Sequence, residues 1–294
     1  MYQDIIAVIE SQTDAPYVLE KVRALAADAT NVHVVRVIYE GLAEIKSQHI
    51  DQSHELKSLM LEAMEKDLVD ILEAHGQNIA NLDSKTLWNR CTWEGVLHEA
   101  DAVGADLIVK ASHWEGSIQA IGRTPDDWNL LRHANVPVLL LKDSAWSQEG
   151  CVLAAVDAFD DDSQQLAATV LRTAAGVAAL IGDQPLQVVS TYPLFEPWVG
   201  ELGATGSYAN LQDNIVKDIK QQVASIADQA EVGRYQLLAE EGPTVHAIKM
   251  TAESTHADLL VVGTHAREGI RGVVLGNTAE KLLHGVDVDV LVVR

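Results

Sequence analysis

The amino-acid sequence predicts an α/β protein made of two tandem doubly wound parallel-sheet domains, with five main strands each. Three observations carry that prediction. The segment Asp106 to Lys142 aligns without a gap on Asp258 to Arg294, at a constant offset of 152 residues (106 against 258), and repetition of this kind marks a duplicated structural unit. Each copy runs apolar strand, polar loop, short helix, apolar strand; strict alternation of strands and helices implies parallel sheets with right-handed crossovers and helices on both faces. The strand candidates are unbroken apolar runs such as IIAVI and DVLVV, the composition of strands buried on both faces.

In the first half, a strand at Asp4 to Ile9 leads to a helix over about Ala15 to Asp28 and a second strand at Val32 to Ile38. A long amphipathic helix covers Asp51 to His75, because Leu56, Leu59, Met60, Ala63, Met64 and Leu68 recur mostly at three- and four-residue spacing. A third strand near Lys85 to Trp88, a helix at Trp93 to Val103, a strand at Asp106 to Lys110, a helix at Pro125 to His133 and a strand at Pro137 to Lys142 complete this half. The second half repeats the order. Its strands fall near Val152 to Val156, Leu186 to Thr191, Tyr235 to Ala239, Asp258 to Val262 and Asp289 to Val293. Its helices fall at about Asp162 to Val177, Ser207 to Gln229, Pro243 to Ser254 and Asn277 to His284. Ser144 to Gly150, polar apart from Trp146, reads as the linker. The expected domains are 1–143 and 150–294, packed together because the connection is short.

Composition narrows the function. A chain of 294 residues with 48% hydrophobic residues and mean hydropathy +0.04 describes a soluble globular protein with two cores of ordinary size. No apolar run reads as long enough to cross a bilayer, and MYQDIIAVIE has no basic region ahead of its apolar stretch, so a cytoplasmic protein without a membrane partner is expected. Cys91 and Cys151 form no CxxC pair, which argues against a disulfide framework and a thiolate metal site. A formal charge of −22 argues against direct nucleic-acid binding, which needs clustered Lys and Arg.

In a doubly wound sheet the ligand crevice lies beyond the carboxyl ends of the first and fourth strands, where strand order reverses. In the second half this sets Asp157 opposite GTHAREGIRGVVLGNT. Asp157 reads either as an acceptor for a ribose hydroxyl or an adenine amino group, or as a turn-capping carboxylate in the run DAFDDD. Gly263 ends a strand and can adopt positive φ, while Gly276 precedes Asn277, read as the N-cap of a short helix with Glu280 at the capping-box position. A helix N-terminus presents free backbone N–H groups to a phosphate; the plainer reading is that Gly276 and Asn277 merely start a helix.

The duplicated strand, Gly-rich loop and short helix, followed by VPVLLLK or VDVLVVR, resemble the universal stress protein family, whose fold is Rossmann-like or flavodoxin-like. TPDDWNLLR in the first half and LGNTAEKLL in the second resemble its tandem type, and the resemblance covers essentially the whole chain. It implies a stress-response role, two domains forming an internal pseudo-dimer, and self-association of the chain as a homodimer. Members that bind ATP, with magnesium, share a Gly, two residues, Gly, nine residues, Gly, Ser/Thr pattern and an Asp ending the first strand. Asp157, Gly263 and Gly276 match; Ala266 stands for the second glycine and Asn277 for the hydroxyl residue, with Thr278 following. The resemblance thus implies a nucleotide at Asp157, Gly263, Ala266, Gly276, Asn277 and Thr278.

The first half departs further, with Glu10, Ala111, Trp114, Thr124 and Pro125 at the matching places. Pro125 lacks the N–H that a phosphate would use, and Asp126 and Asp127 occupy the first helical turn, so this half is not expected to bind a nucleoside triphosphate. Five of the six tryptophans precede Gly150. Trp88, Trp93 and Trp114 fall near strand ends, where they either line a cavity for an apolar or amphiphilic metabolite or pack under loops. His113 and His265 occupy equivalent loop positions without ligand-spaced partners. The run Asp160, Asp161, Asp162 reads as a solvated helix start, and YPLFEPW from Tyr192 as a lid or a packed loop. No GxSxG, HExxH or GxxxxGK[ST] sequence is present. The expected function is a non-enzymatic binding or regulatory module of the stress response, with slow ATP hydrolysis and metabolite carriage as alternatives.

Overall fold

The computed structural model describes residues 2–41, 50–112, 125–160, 163–193, 207–264 and 276–294. Ala266, His113, His265, Trp114, Thr124, Asp161, Asp162 and the segment 194–198 lie outside the described residues. Two units are present, Met1–Ser144 and Ala145–Arg294.

In the first unit the elements are β1 (Asp4–Val8), α1 (Ala15–Leu25), β2 (Asn31–Ile38), α2 (Ile50–His75), β3 (Asn81–Trp88), α3 (Thr92–Val103), β4 (Leu107–Ala111), α4 (Pro125–His133) and β5 (Val138–Leu141). Its strands pair in parallel in the order β3-β2-β1-β4-β5. The apolar runs take the centre: Ile5, Ile6 and Ala7 of β1 and Leu107, Ile108 and Val109 of β4 are all 0% exposed. Each such side chain contributes roughly 1.5–3 kcal/mol through burial, with the methyl of Ala7 adding less. β3 begins four residues before its expected start, at Asn81 against Lys85. NLDSKTLW alternates in burial, as an edge strand does, and its polar residues hide it from a search for apolar runs. α2 buries Leu68 and Ile71 but leaves Leu56 and Leu59 outward, so only part of its apolar stripe serves this core.

The second unit repeats the pattern with β6 (Val152–Ala155), α5 (Gln164–Ile181), β7 (Leu186–Tyr192), α6 (Ser207–Ala230), β8 (Tyr235–Glu241), α7 (Thr244–Ser254), β9 (Leu259–Gly263), α8 (Asn277–Gly285) and β10 (Asp289–Val293). Its parallel order is β8-β7-β6-β9-β10, the same as in the first unit. Contrary to the sequence reading, one described helix, α5, is long and apolar enough to cross a membrane by length and composition. Its buried residues, among them Val170, Leu171, Ala174 and Val177, form one stripe that packs on β6 and β9, the signature of a core helix.

Asp258 fastens the segment before β6. Its Oδ1 accepts a hydrogen bond from Ser147 N, and its Oδ2 accepts from Ser147 Oγ and Cys151 N, each at 2.7 Å. The equivalent Asp106 accepts from Gln3 N at 2.8 Å, so both copies use this carboxylate to hold the chain ahead of their first strand. Trp146, read as part of the linker, donates its indole N–H to the fully buried Asp289 at 2.7 Å and belongs to the second unit. Gly150, at φ +58, lies backbone to backbone against Gly182, and a Cβ on Gly182 would stand 1.9 Å from Glu149 O. We expect Asp258→Ala to cost about 2 kcal/mol in denaturant unfolding, because three charge-assisted bonds are lost from a half-buried site. Proteolytic nicking between 144 and 150 is expected to rise with it.

Candidate functional site

Strand order reverses between β6 and β9, and a cavity of about 770 Å³ opens there at their carboxyl ends. Its floor is Ala155, Val156, Val262 and Gly263. One wall comes from Leu166, Ala167 and Val170 of α5, another from Thr191, Tyr192, Thr244 and Ile248, and a third from Thr278, Ala279 and Leu282 of α8. Phe159, half exposed, stands at the rim. Two of these parts follow from strands that run past their expected ends: β7 reaches Tyr192 and β8 reaches Glu241. Gly242, at φ 132, then turns the chain back, with its N–H on Tyr192 O at 2.9 Å. Thr191 and Thr244 hydroxyls meet at 3.1 Å across this corner. Burial, then the carboxylates of Glu241 and Glu240, push the Tyr192 phenol up, so it remains a hydrogen-bond donor at neutral pH.

Of the residues singled out from the sequence, Asp157, Gly263 and Thr278 line this cavity, and Gly276 and Asn277 do not. Asp157 is exposed, and its Oδ1 accepts from Phe159 N at 3.0 Å, the turn-capping role; among the described residues Oδ2 has no partner. Gly263 does not use its freedom to take a positive φ. It is required for close approach, since a Cβ there would come 2.8 Å from Cδ2 of Leu166. Asn277 is not the helix cap either. Gly276 holds that position with φ −61 and ψ 144, no side chain caps the helix, and Asn277 is its first, exposed residue. Glu280 therefore falls one position beyond a capping box, and the helical ladder begins with its N–H on Gly276 O at 3.0 Å. The first amides of α8 are left without partners inside the helix, beside the lining residues Thr278 and Ala279. The one charged group on the described lining is Asp157, and no His, Cys, Asp and Glu cluster suited to a metal occurs among the described residues.

The corresponding place in the first unit holds a charged cluster. Lys110, 2% exposed, reaches Glu10 Oε2 at 2.7 Å and Asp127 Oδ1 at 2.8 Å, and also donates to Ala111 O at 3.1 Å. Burial works against the ammonium, but Asp127 and Glu10 outweigh it and hold its pKa above the ordinary value. Sequence reading passed over Lys110 as the end of an apolar strand; the available signal was a lysine in DLIVKA where the second copy has valine. Nearby, Trp93 stacks on His133 with centroids 5.0 Å apart, and Trp88 packs on Tyr39 at 5.9 Å with Lys57 Nζ 4.9 Å from its ring. These contacts are packing.

A doubly wound sheet repeated in tandem, with a cavity at the strand-order reversal of the second unit, defines a two-domain α/β protein. Residues 1–142 and 151–294 both match the universal stress protein family, a stress-response family, and the chain belongs to it. It is 26% identical over 226 residues to universal stress protein E of Escherichia coli (strain K12), covering 72% of this chain and 68% of that protein. It is 23% identical to the universal stress protein E homolog of Haemophilus influenzae, over 100% of this chain and 97% of the relative. The crystal structure of a universal stress protein from Pseudomonas aeruginosa UCBPP-PA14 superposes with a TM-score of 0.69 at 28% identity, over 99% of this chain and 93% of that one.

Proposed function

We propose that the chain is a non-enzymatic binding module of the stress response that takes a nucleotide, ATP with magnesium, in its second domain. The observation that carries this reading is the cavity of about 770 Å³ at the strand-order reversal, within the size range of small-ligand sites. Its apolar walls suit a base, the second oxygen of Asp157 suits a sugar hydroxyl, and the free amides at the start of α8 suit a phosphate. Gly263, Gly276, Asn277 and Thr278 border these groups, and Ala266 completes the proposed loop. The domains are taken as 1–143 and 150–294, in a cytoplasmic protein that associates with a second copy.

Calorimetric titration of ATP with magnesium tests the reading. Wild type is expected to bind, and Gly276→Val to lose about tenfold or more in affinity. The Gly276 backbone, at φ −61 and ψ 144, lies in a region open to valine. Retained affinity in Gly276→Val overturns the placement of the phosphate.

A further inference from the structure

We propose that the Glu10, Lys110 and Asp127 cluster is a built-in occupant of the first unit's crevice, and that this trio, set against Asp157, Val262 and Ala279, decides which unit accepts a ligand. The correspondence is fixed by strand register and by the sequence repeat. Lys110 pairs with Val8 on β1 as Val262 pairs with Ala155 on β6. Glu10 and Asp157 each stand two residues beyond those partners, and Asp127 and Ala279 each occupy the third helical position, of α4 and α8. In the second unit the two inner positions are a valine and a methyl group, and both line the cavity. In the first, a four-carbon stem carries an ammonium to two carboxylates.

Three oxygen groups of this chain already surround that ammonium. Lys110 Nζ donates to Glu10 Oε2 and to the carbonyl of Ala111, and the Asp127 carboxylate pairs with its charge at 2.8 Å. A ligand entering there has to separate Lys110 from Asp127, a buried ion pair, which is strongly unfavourable. The ammonium therefore recruits no phosphate, although a lysine in a crevice suggests an anion site. Pro125 and Asp126 add to the exclusion at the start of α4. One ligand per chain is the consequence. This inference rests on the proposed second-domain site only for the identity of that ligand.

The test uses the full-length chain and two exchanges. E10D/K110V/D127A gives the first unit the second unit's residues; V262K/A279D, with Asp157 already in place, gives the second unit the first unit's cluster. Xenon-pressurised crystals read cavity space without any ligand, because apolar cavities take up the gas. In wild type xenon is expected in the second unit alone, in E10D/K110V/D127A in both units, and in V262K/A279D in neither. A fluorescent ATP analogue with magnesium is expected to bind wild type once per chain and V262K/A279D about tenfold or more weakly. A first unit that stays empty of xenon in E10D/K110V/D127A, or a second unit that keeps xenon and nucleotide in V262K/A279D, overturns the proposal. Absence of nucleotide binding in wild type defeats the proposed function, while the xenon results still judge the cluster; if one variant fails to fold, the other decides.

Discussion

Lys110→Met is expected to destabilise the first unit by about 3–5 kcal/mol at neutral pH, because it removes the buried ammonium that pairs with Glu10 and Asp127. Lys110 and Asp127 are 3% and 7% exposed at the side chain, so solvent screens little of this loss. Urea unfolding, followed through the first-unit tryptophans, measures it. The pH dependence separates charge from packing. A lysine whose folded pKa is raised contributes stability in full below its ordinary value of 10.5, and that contribution is lost as pH rises through the higher folded value. Wild type should therefore lose stability in alkali that Lys110→Met has already lost, so the two curves converge above pH 10.5. At acid pH the variant should recover as its facing carboxylates take up protons. Lys110→Met combined with Asp127→Leu should restore much of the stability, since apolar groups replace a buried pair well. A Lys110→Met protein as stable as wild type at pH 7 would show that the cluster is not held by charge.

Gly182→Ala is the second large effect, with an expected cost of about 3 kcal/mol. The added methyl would stand 1.9 Å from Glu149 O and 2.8 Å from Gly150 Cα, and both are backbone atoms that no rotamer change can move. Gly182 itself is extended, so the loss comes from contact and not from its own dihedral angles. Chemical denaturation of the variant gives the cost directly, and a shift below 1 kcal/mol would mean that the segment ahead of β6 yields easily. Such yielding should also appear as faster cleavage near Gly150.

Much of the fold was legible because its strands are short and buried on both faces. β1, β4, β9 and β10 stand out as apolar runs without any knowledge of tertiary contacts. β3 was harder, since an edge strand alternates and NLDSKTLW looks polar over half its length. Helix α1 stops at Leu25 because Ala26 turns extended and Thr30 Oγ1 takes the Ala27 N–H at 3.0 Å, a local bond that helical periodicity does not encode.

The site was legible in part. Asp157, Gly263 and Thr278 could be placed near the crevice because their distance from a strand or helix end is countable. The reason for Gly263 could not, since it depends on Leu166, 97 residues away in sequence (263 against 166). Nor could the apolar walls, because Thr191, Thr244 and Ile248 converge only once β7 and β8 have paired. Lys110 was missed for the same reason: its two carboxylates come from elements at opposite ends of the unit.

Duplication commonly yields two equal receptors, and here the cluster of Glu10, Lys110 and Asp127 makes the copies unequal. One half carries its counter-charges covalently. With a ligand in the other half, as proposed, the chain would resemble an instrument with a measuring arm and a sealed reference arm, and its readout would be a difference between halves, not a change in the whole.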